Sequence, residues 1–244
     1  MPAIRLVATT ALAFTAALAF AETPAARATP REALGQLKAG NDRFARNASQ
    51  PVSLSVNRRK ELSAADNPLA MVLSCADSRV PPEHIFNVGL GDLLVIRSGG
   101  GVVDRSILAT IEYGATSLHT PLLVVMGHES CDVVRAAADA RGTAQTPNLD
   151  YLFKAIKAGP RRPRAEDDEA RALIFDNIEQ VINDTLAKSP LVRRMVDSGE
   201  LDVVGAYYEL VSGRVVFSES VRNAASSQPA SRQPLSRPAP AAAR

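Results

Sequence analysis

Two short clusters gather the side chains best able to ligate a metal: Cys75-Ala76-Asp77-Ser78-Arg79 and His128-Glu129-Ser130-Cys131. Together they offer two thiolates, an imidazole and a carboxylate, all of them suitable zinc ligands. In the second cluster the ligands stand three apart, close to one helical turn, so His128 and Cys131 can converge on one ion from a strand-to-helix turn. A structural zinc is normally closed by four strong ligands, whereas a catalytic one keeps a position for water. Cys75, His128 and Cys131 supply three, and Asp77 decides the fourth. Bound to the ion, Asp77 shuts the site; paired with Arg79, two residues on, it leaves a position for water, whose pKa zinc lowers to roughly 7. Cys75 and Cys131 are the only cysteines, so in an exported chain a metal-free disulfide is the competing reading, beside a sealed, non-catalytic zinc. Each cluster alone is a weak signal. They gain weight from the elements that carry them.

Those elements alternate. The run from Leu69 to Ser74 is short and continuously apolar, as a parallel strand buried on both faces should be, and Cys75 stands at its end. A second run, Leu93 to Ile96, leads into Arg97-Ser98-Gly99-Gly100-Gly101, after which Asp104 caps a helix through about Ala115 with Ile107, Leu108 and Ile111 inward. The third run, Pro121 to Met126, ends at Gly127-His128 and passes into a helix from Cys131 to Asp139. Upstream, Thr29-Pro30-Arg31-Glu32 opens a helical stretch with Gly40-Asn41 as an interruption. Downstream, Ala172 to Ala187 is helical, the charged stretch Arg161 to Glu169 reads as a solvated loop, and Leu201–Leu210 with Arg214–Phe217 form a hairpin about Ser212-Gly213. The fold class is therefore α/β: a mainly parallel central sheet flanked by helices, with a C-terminal hairpin added at its edge. Ligands of such sheets lie outside the carboxyl ends of the strands, where Cys75 and His128 both stand.

The residues then match a pattern. Cys75-Ala76-Asp77-Ser78-Arg79-Val80-Pro81-Pro82-Glu83, Gly89-Leu90-Gly91-Asp92, Val95-Ile96-Arg97 and Gly127-His128 through Cys131 resemble the beta-class carbonic anhydrases, as does Leu37 to Phe44 near the amino terminus. The likeness runs from about Ala33 to Phe217. It implies reversible hydration of carbon dioxide to bicarbonate and a proton by a zinc-bound hydroxide, with one Zn2+ per subunit and Cys75, His128 and Cys131 as permanent ligands. Asp77 and Arg79 become the catalytic dyad: the aspartate binds zinc in closed forms and orients the hydroxide when released. A homodimer or larger homo-oligomer is also implied, with the amino-terminal helix lying across the partner. A hydrolase of carbonyl sulfide or carbon disulfide on the same fold shares the ligand set. The chain departs from the family where Gly99-Gly100-Gly101 replaces a common Ala-Gly-Asn ending, where Asp132 follows the second cysteine in place of Gly, and where Asn87-Val88 replaces Asp-Gln. These departures bear on turnover more than on fold.

Other signals are excluded or bland. The glycine run lacks the lysine and hydroxyl of a phosphate loop, and Gly89-Leu90-Gly91 lacks the third glycine of a dinucleotide site. His84, His119 and Glu129 read as packing, surface or loop residues. Arg5 followed by the apolar run Leu6–Phe20 and Ala19-Phe20-Ala21 reads as an export leader cut after Ala21, which directs the chain to the periplasm with no membrane anchor left. Residues 22–220 then form one domain, and residues 221–244 form a disordered Ala/Pro/Ser-rich tail. Taking Arg5 and the tail's Arg222, Arg232, Arg237 and Arg244 from the formal net charge of +2 leaves the body at −3. A basic tail on a mildly acidic body gives no footprint for nucleic acid.

Overall fold

Unbroken apolar runs such as Met71-Val72-Leu73 have no polar face to show to water, and their shortness and β-branched content suit interior strands with cover on both sides. The computed structural model, which describes residues 27–140, 144–156 and 166–221, places them so. Five strands form one sheet in the order β2-β1-β3-β4-β5: β1 (Ala70–Cys75), β2 (Leu93–Ser98), β3 (Leu122–His128), β4 (Asp202–Tyr208) and β5 (Val215–Phe217). The first four are parallel, and β5 runs antiparallel to β4 at the edge. Every residue of β1 is buried.

Alternation along the strands divides the core into two layers. Met71, Leu73 and Cys75 face the layer built with Ile111, Val134, Ile178, Val192 and Val196, whereas Ala70 and Val72 face one built with Ala33, Leu37, Ile85 and Phe86. The first layer belongs to α4 (Arg105–Thr116), α5 (Asp132–Asp139), α7 (Glu166–Lys188) and α8 (Pro190–Ser198); the second belongs to α1 (Pro30–Ala45) and α3 (Pro82–Ile85). The expected caps are present: the Asp104 carboxylate accepts from the Ile107 amide at 2.8 Å, and Thr29 with Glu32 makes a capping box.

Several expectations are revised. Gly40-Asn41 does not interrupt α1, which is continuous; Gly40 lets the helix touch α3 so closely that a Cβ there would lie 1.8 Å from the Phe86 carbonyl oxygen. Asn41 is buried, donating to the carbonyls of Ile85 (3.2 Å) and Gly213 (2.8 Å) and accepting from the Val215 amide (2.8 Å). The charged stretch Arg161–Glu169 is not all loop, because α7 starts at Glu166. Helices α2 (Val56–Ala64), α6 (Pro147–Ala155) and α8 appear where no element was expected. The leader and all of the tail but Val221 lie outside the described residues.

Candidate metal centre

Strand β1 connects outward to β2 on one side, and the chain returns to lay β3 on its other side, so the order reverses between β1 and β3. Crossover connections diverge at such a point and leave a crevice at the carboxyl ends of the strands. Cys75 is the last residue of β1 and His128 the last of β3. The turn that follows brings in the third group. Ser130 adopts a left-handed backbone (φ 51°) that swings the chain back, and Cys131 then serves as the N-cap of α5. A non-glycine residue held there costs of order 1 kcal/mol or more, a cost borne where it places a functional group.

The ligand atoms of Cys75, His128 and Cys131 all lie within 4.8 Å of one another, and all three residues are buried. The two sulfurs are 3.7 Å apart and unbonded. His128 has its Nδ1 2.8 Å from the Glu129 carbonyl oxygen, which can only accept, so Nδ1 carries the proton and Nε2 presents a lone pair. That Nε2 is fully buried without a hydrogen-bond partner. A bare acceptor in the interior is normally costly; aimed beside two thiols it is what a metal ligand requires, with the second ring nitrogen oriented by a carbonyl. The donor set thus fits zinc.

The two thiols are unequal. Cys75 falls below the usual thiol range, chiefly because Cys131 donates a hydrogen bond to it, with help from the Gly100 amide and against the effect of burial. Cys131 rises because it keeps the shared proton and is buried.

Asp77 and Arg79 stand beside this group as a closed pair. Asp77 Oδ1 accepts from the Arg79 amide (2.8 Å) and Nε (2.9 Å), and Oδ2 accepts from the guanidinium at 2.6 Å. These hydrogen bonds hold the Asp77 carboxyl well below the usual carboxylate range. Oδ2 lies 3.8 Å from His128 Nε2, so the carboxylate borders the trio while turned toward Arg79. Arg79 also reaches the Ser130 carbonyl (3.3 Å), tying the two sequence clusters together.

Three supporting groups were not legible as such. Arg97 donates to the carbonyls of Cys75 (3.1 Å) and Asp77, bracing the turn after β1. Gly100 points its amide at the Cys75 sulfur from 3.4 Å, and Asn177 of α7 holds the Gly100 carbonyl at 2.7 Å. Asn177 lies in phase with Ile174, Ile178 and Val181, so a polar residue on the buried stripe was the available signal. Glu129 accepts from the Leu210 amide (2.9 Å) and serves the β4–β5 hairpin. Asp132 is largely exposed and pairs with Arg135; His84 and His119 are exposed.

Comparison with known proteins agrees with this geometry. The sequence model of the family described as carbonic anhydrase matches residues 70–215. Carbonic anhydrase 2 of Mycobacterium tuberculosis is 35% identical over 200 residues, covering 80% of this chain and 95% of that protein. A carbonic anhydrase of Mycolicibacterium smegmatis is 36% identical over 198 residues, covering 76% and 92%. Among solved structures, a Coccomyxa beta-carbonic anhydrase in complex with acetazolamide superposes with a TM-score of 0.64 at 22% identity, covering 79% of this chain and 90% of that one.

Proposed function

Because the chain belongs to the beta-class carbonic anhydrase family, we propose that it interconverts carbon dioxide and bicarbonate at a zinc ion held by Cys75, His128 and Cys131. The supporting observation is the buried, unpartnered Nε2 of His128 gathered with two free thiols beside the Asp77–Arg79 pair. Zinc held there supplies a Lewis acid that makes hydroxide available from water near neutral pH.

The chain's own residues do the rest. Both thiols give up their protons to become ligands, and the Glu129 carbonyl keeps the His128 ring turned with Nε2 inward. Arg79 fixes Asp77 through three hydrogen bonds. Each carboxylate oxygen has two acceptor sites, so Oδ2 keeps capacity to accept a proton-bearing group and orient it. With Asp77 committed to Arg79, a catalytic role for this dyad is favoured over a sealed zinc.

The proposal includes assembly as a homodimer or larger homo-oligomer, and work in the periplasm after loss of residues 1–21. The deciding experiment is stopped-flow carbon dioxide hydration by residues 22–244 from about pH 7 to 9, where zinc-bound water ionises. A rate well above buffer, rising with pH and abolished by chelation, is expected. A buffer-level rate in protein that carries one zinc per chain would overturn the activity.

A further inference from the structure

The 3-10 turn Gly99–Gly101 follows β2 and passes beside Cys75. Its centre is determined from three directions. The Gly100 amide points at Cys75 Sγ from 3.4 Å. The Gly100 carbonyl is held at 2.7 Å by the side-chain amide of Asn177, a buried residue contributed by α7 from 77 positions away. On the third side, Ile156 closes in: a Cβ on Gly100 would meet its Cδ1 at 3.0 Å, and the backbone there is left-handed (φ 64°), so only glycine fits without strain. The peptide therefore has one donor aimed at a metal-ligand sulfur and one acceptor anchored to α7.

We infer that Asn177 is a positioning residue for the metal centre: through Gly100 it sets the N–H···S hydrogen bond to the Cys75 thiolate and so tunes how strongly that sulfur donates to the metal. This rests on the metal reading of the Cys75, His128 and Cys131 trio. A hydrogen bond to a metal thiolate withdraws electron density from sulfur, stabilises its lone pair and fixes its direction. Without it the sulfur is a stronger but less well-oriented donor. Groups in this outer position typically change metal affinity by about 10–100-fold when removed. Asn177 donates through an N–H that an aspartate of the same shape lacks, so donor chemistry can be separated from volume.

The test uses the full chain loaded with cobalt(II) or zinc. Wild type is titrated with cobalt(II) first; failure to bind it would overturn the metal reading itself, a result distinct from those below. In Asn177→Ala and Asn177→Asp the thiolate-to-cobalt charge-transfer band should move to longer wavelength, and zinc should pass to a chromogenic chelator at least about tenfold faster. Leu186→Val, buried in the same helix but remote from Gly100, serves as the control with a comparable loss of thermal stability and should move neither. An unchanged band and release rate in folded Asn177→Ala, or equal shifts in Leu186→Val, would overturn the inference. Should both Asn177 variants fail to fold, wild type carrying the spin-half cadmium isotope decides. Scalar coupling of the metal to the Gly100 amide proton, together with coupling across the Asn177–Gly100 hydrogen bond, is expected; absence of either would overturn it.

Discussion

At the scale of single residues, the centre divides into groups that hold a metal and groups that govern what it faces. Cys75→Ser, His128→Ala and Cys131→Ser each remove one of three convergent ligands, so bound zinc and turnover should fall together. Metal content by mass spectrometry beside hydration rate checks this, and a Cys75→Ser chain with full zinc and turnover would refute the trio. Asp77→Asn and Arg79→Ala should behave differently, retaining most of the zinc while losing turnover by about 10–100-fold, the scale typical of removing a group that orients what a metal holds. The pair also has a pH signature. Its hydrogen bonds from Arg79 hold the Asp77 carboxyl below its ordinary value, so the linked stability is complete above about pH 4 and is lost as pH falls through the folded value. In chelated protein, the melting-temperature margin of wild type over Asp77→Asn should therefore be constant from about pH 5 to 8 and shrink below 4. A margin that grows on acidification would contradict the pairing.

At the scale of elements, the trio is positioned by how far neighbouring segments intrude on the sheet. Helix α1 buries only Ala33 and Leu37 among its apolar residues, with Gly40 and Asn41 beside them, and a buried leucine contributes roughly 1.5–3 kcal/mol. The Asn41 clip to Ile85, Gly213 and Val215 is thus comparable in weight to the apolar contact. Asn41→Ala should leave buried backbone groups unmet at roughly 1–3 kcal/mol each, lowering the melting temperature by several degrees. Gly40→Ala should cost about 3 kcal/mol or more, because its Cβ would collide with backbone rather than with a flexible side chain. Calorimetry of both variants checks this, and a Gly40→Ala chain as stable as wild type would show that α1 does not dock as described. The same positions mark where sequence reading stops. The buried strands, the Asp104 cap and the ligands at strand ends were legible because apolar runs and metal-ligand spacing are local signals. Gly40-Asn41 looks like an interruption because local propensity disfavours glycine in helices, and the tertiary contact that reverses this joins residues over 40 positions apart. Helix α8 carries local signals of its own: Ser189 caps it, Pro190 opens it and Gly199 ends it in a left-handed turn. Helix α2 buries no residue, so no apolar period was there to read.

At the scale of the whole molecule, α2 and the segment before it are an element without a core. Val52, Leu54 and Val56 are exposed along this arm, Leu54 at 59% and Val56 at 69%, and Leu90 is exposed in the turn that Arg58 contacts. Beneath it lies an open cleft of about 610 Å³ lined by Gln36, Arg43, Val52, Arg58 and Val88, among others. A nine-residue helix is marginal by itself in water, and the polar contacts from Arg58 to Leu90 and Asp92 bury little. Clustered exposed apolar side chains mark an association surface, and a stable pair of subunits buries about 800 Å² on each. Homo-oligomeric assembly should therefore proceed through this arm, giving a light-scattering mass of at least twice that of the chain. The double variant Leu54→Glu with Val56→Glu should dissociate at micromolar concentration, since two carboxylates would have to be buried unpaired against the partner. Its metal trio, built from β1, β3 and the start of α5, should still take up zinc. A monomeric wild type would remove the need for a partner at this face, whereas an oligomer indifferent to both charges would place the contact elsewhere, leaving α2 held to the body by Arg58 and by Leu62 against Gly91.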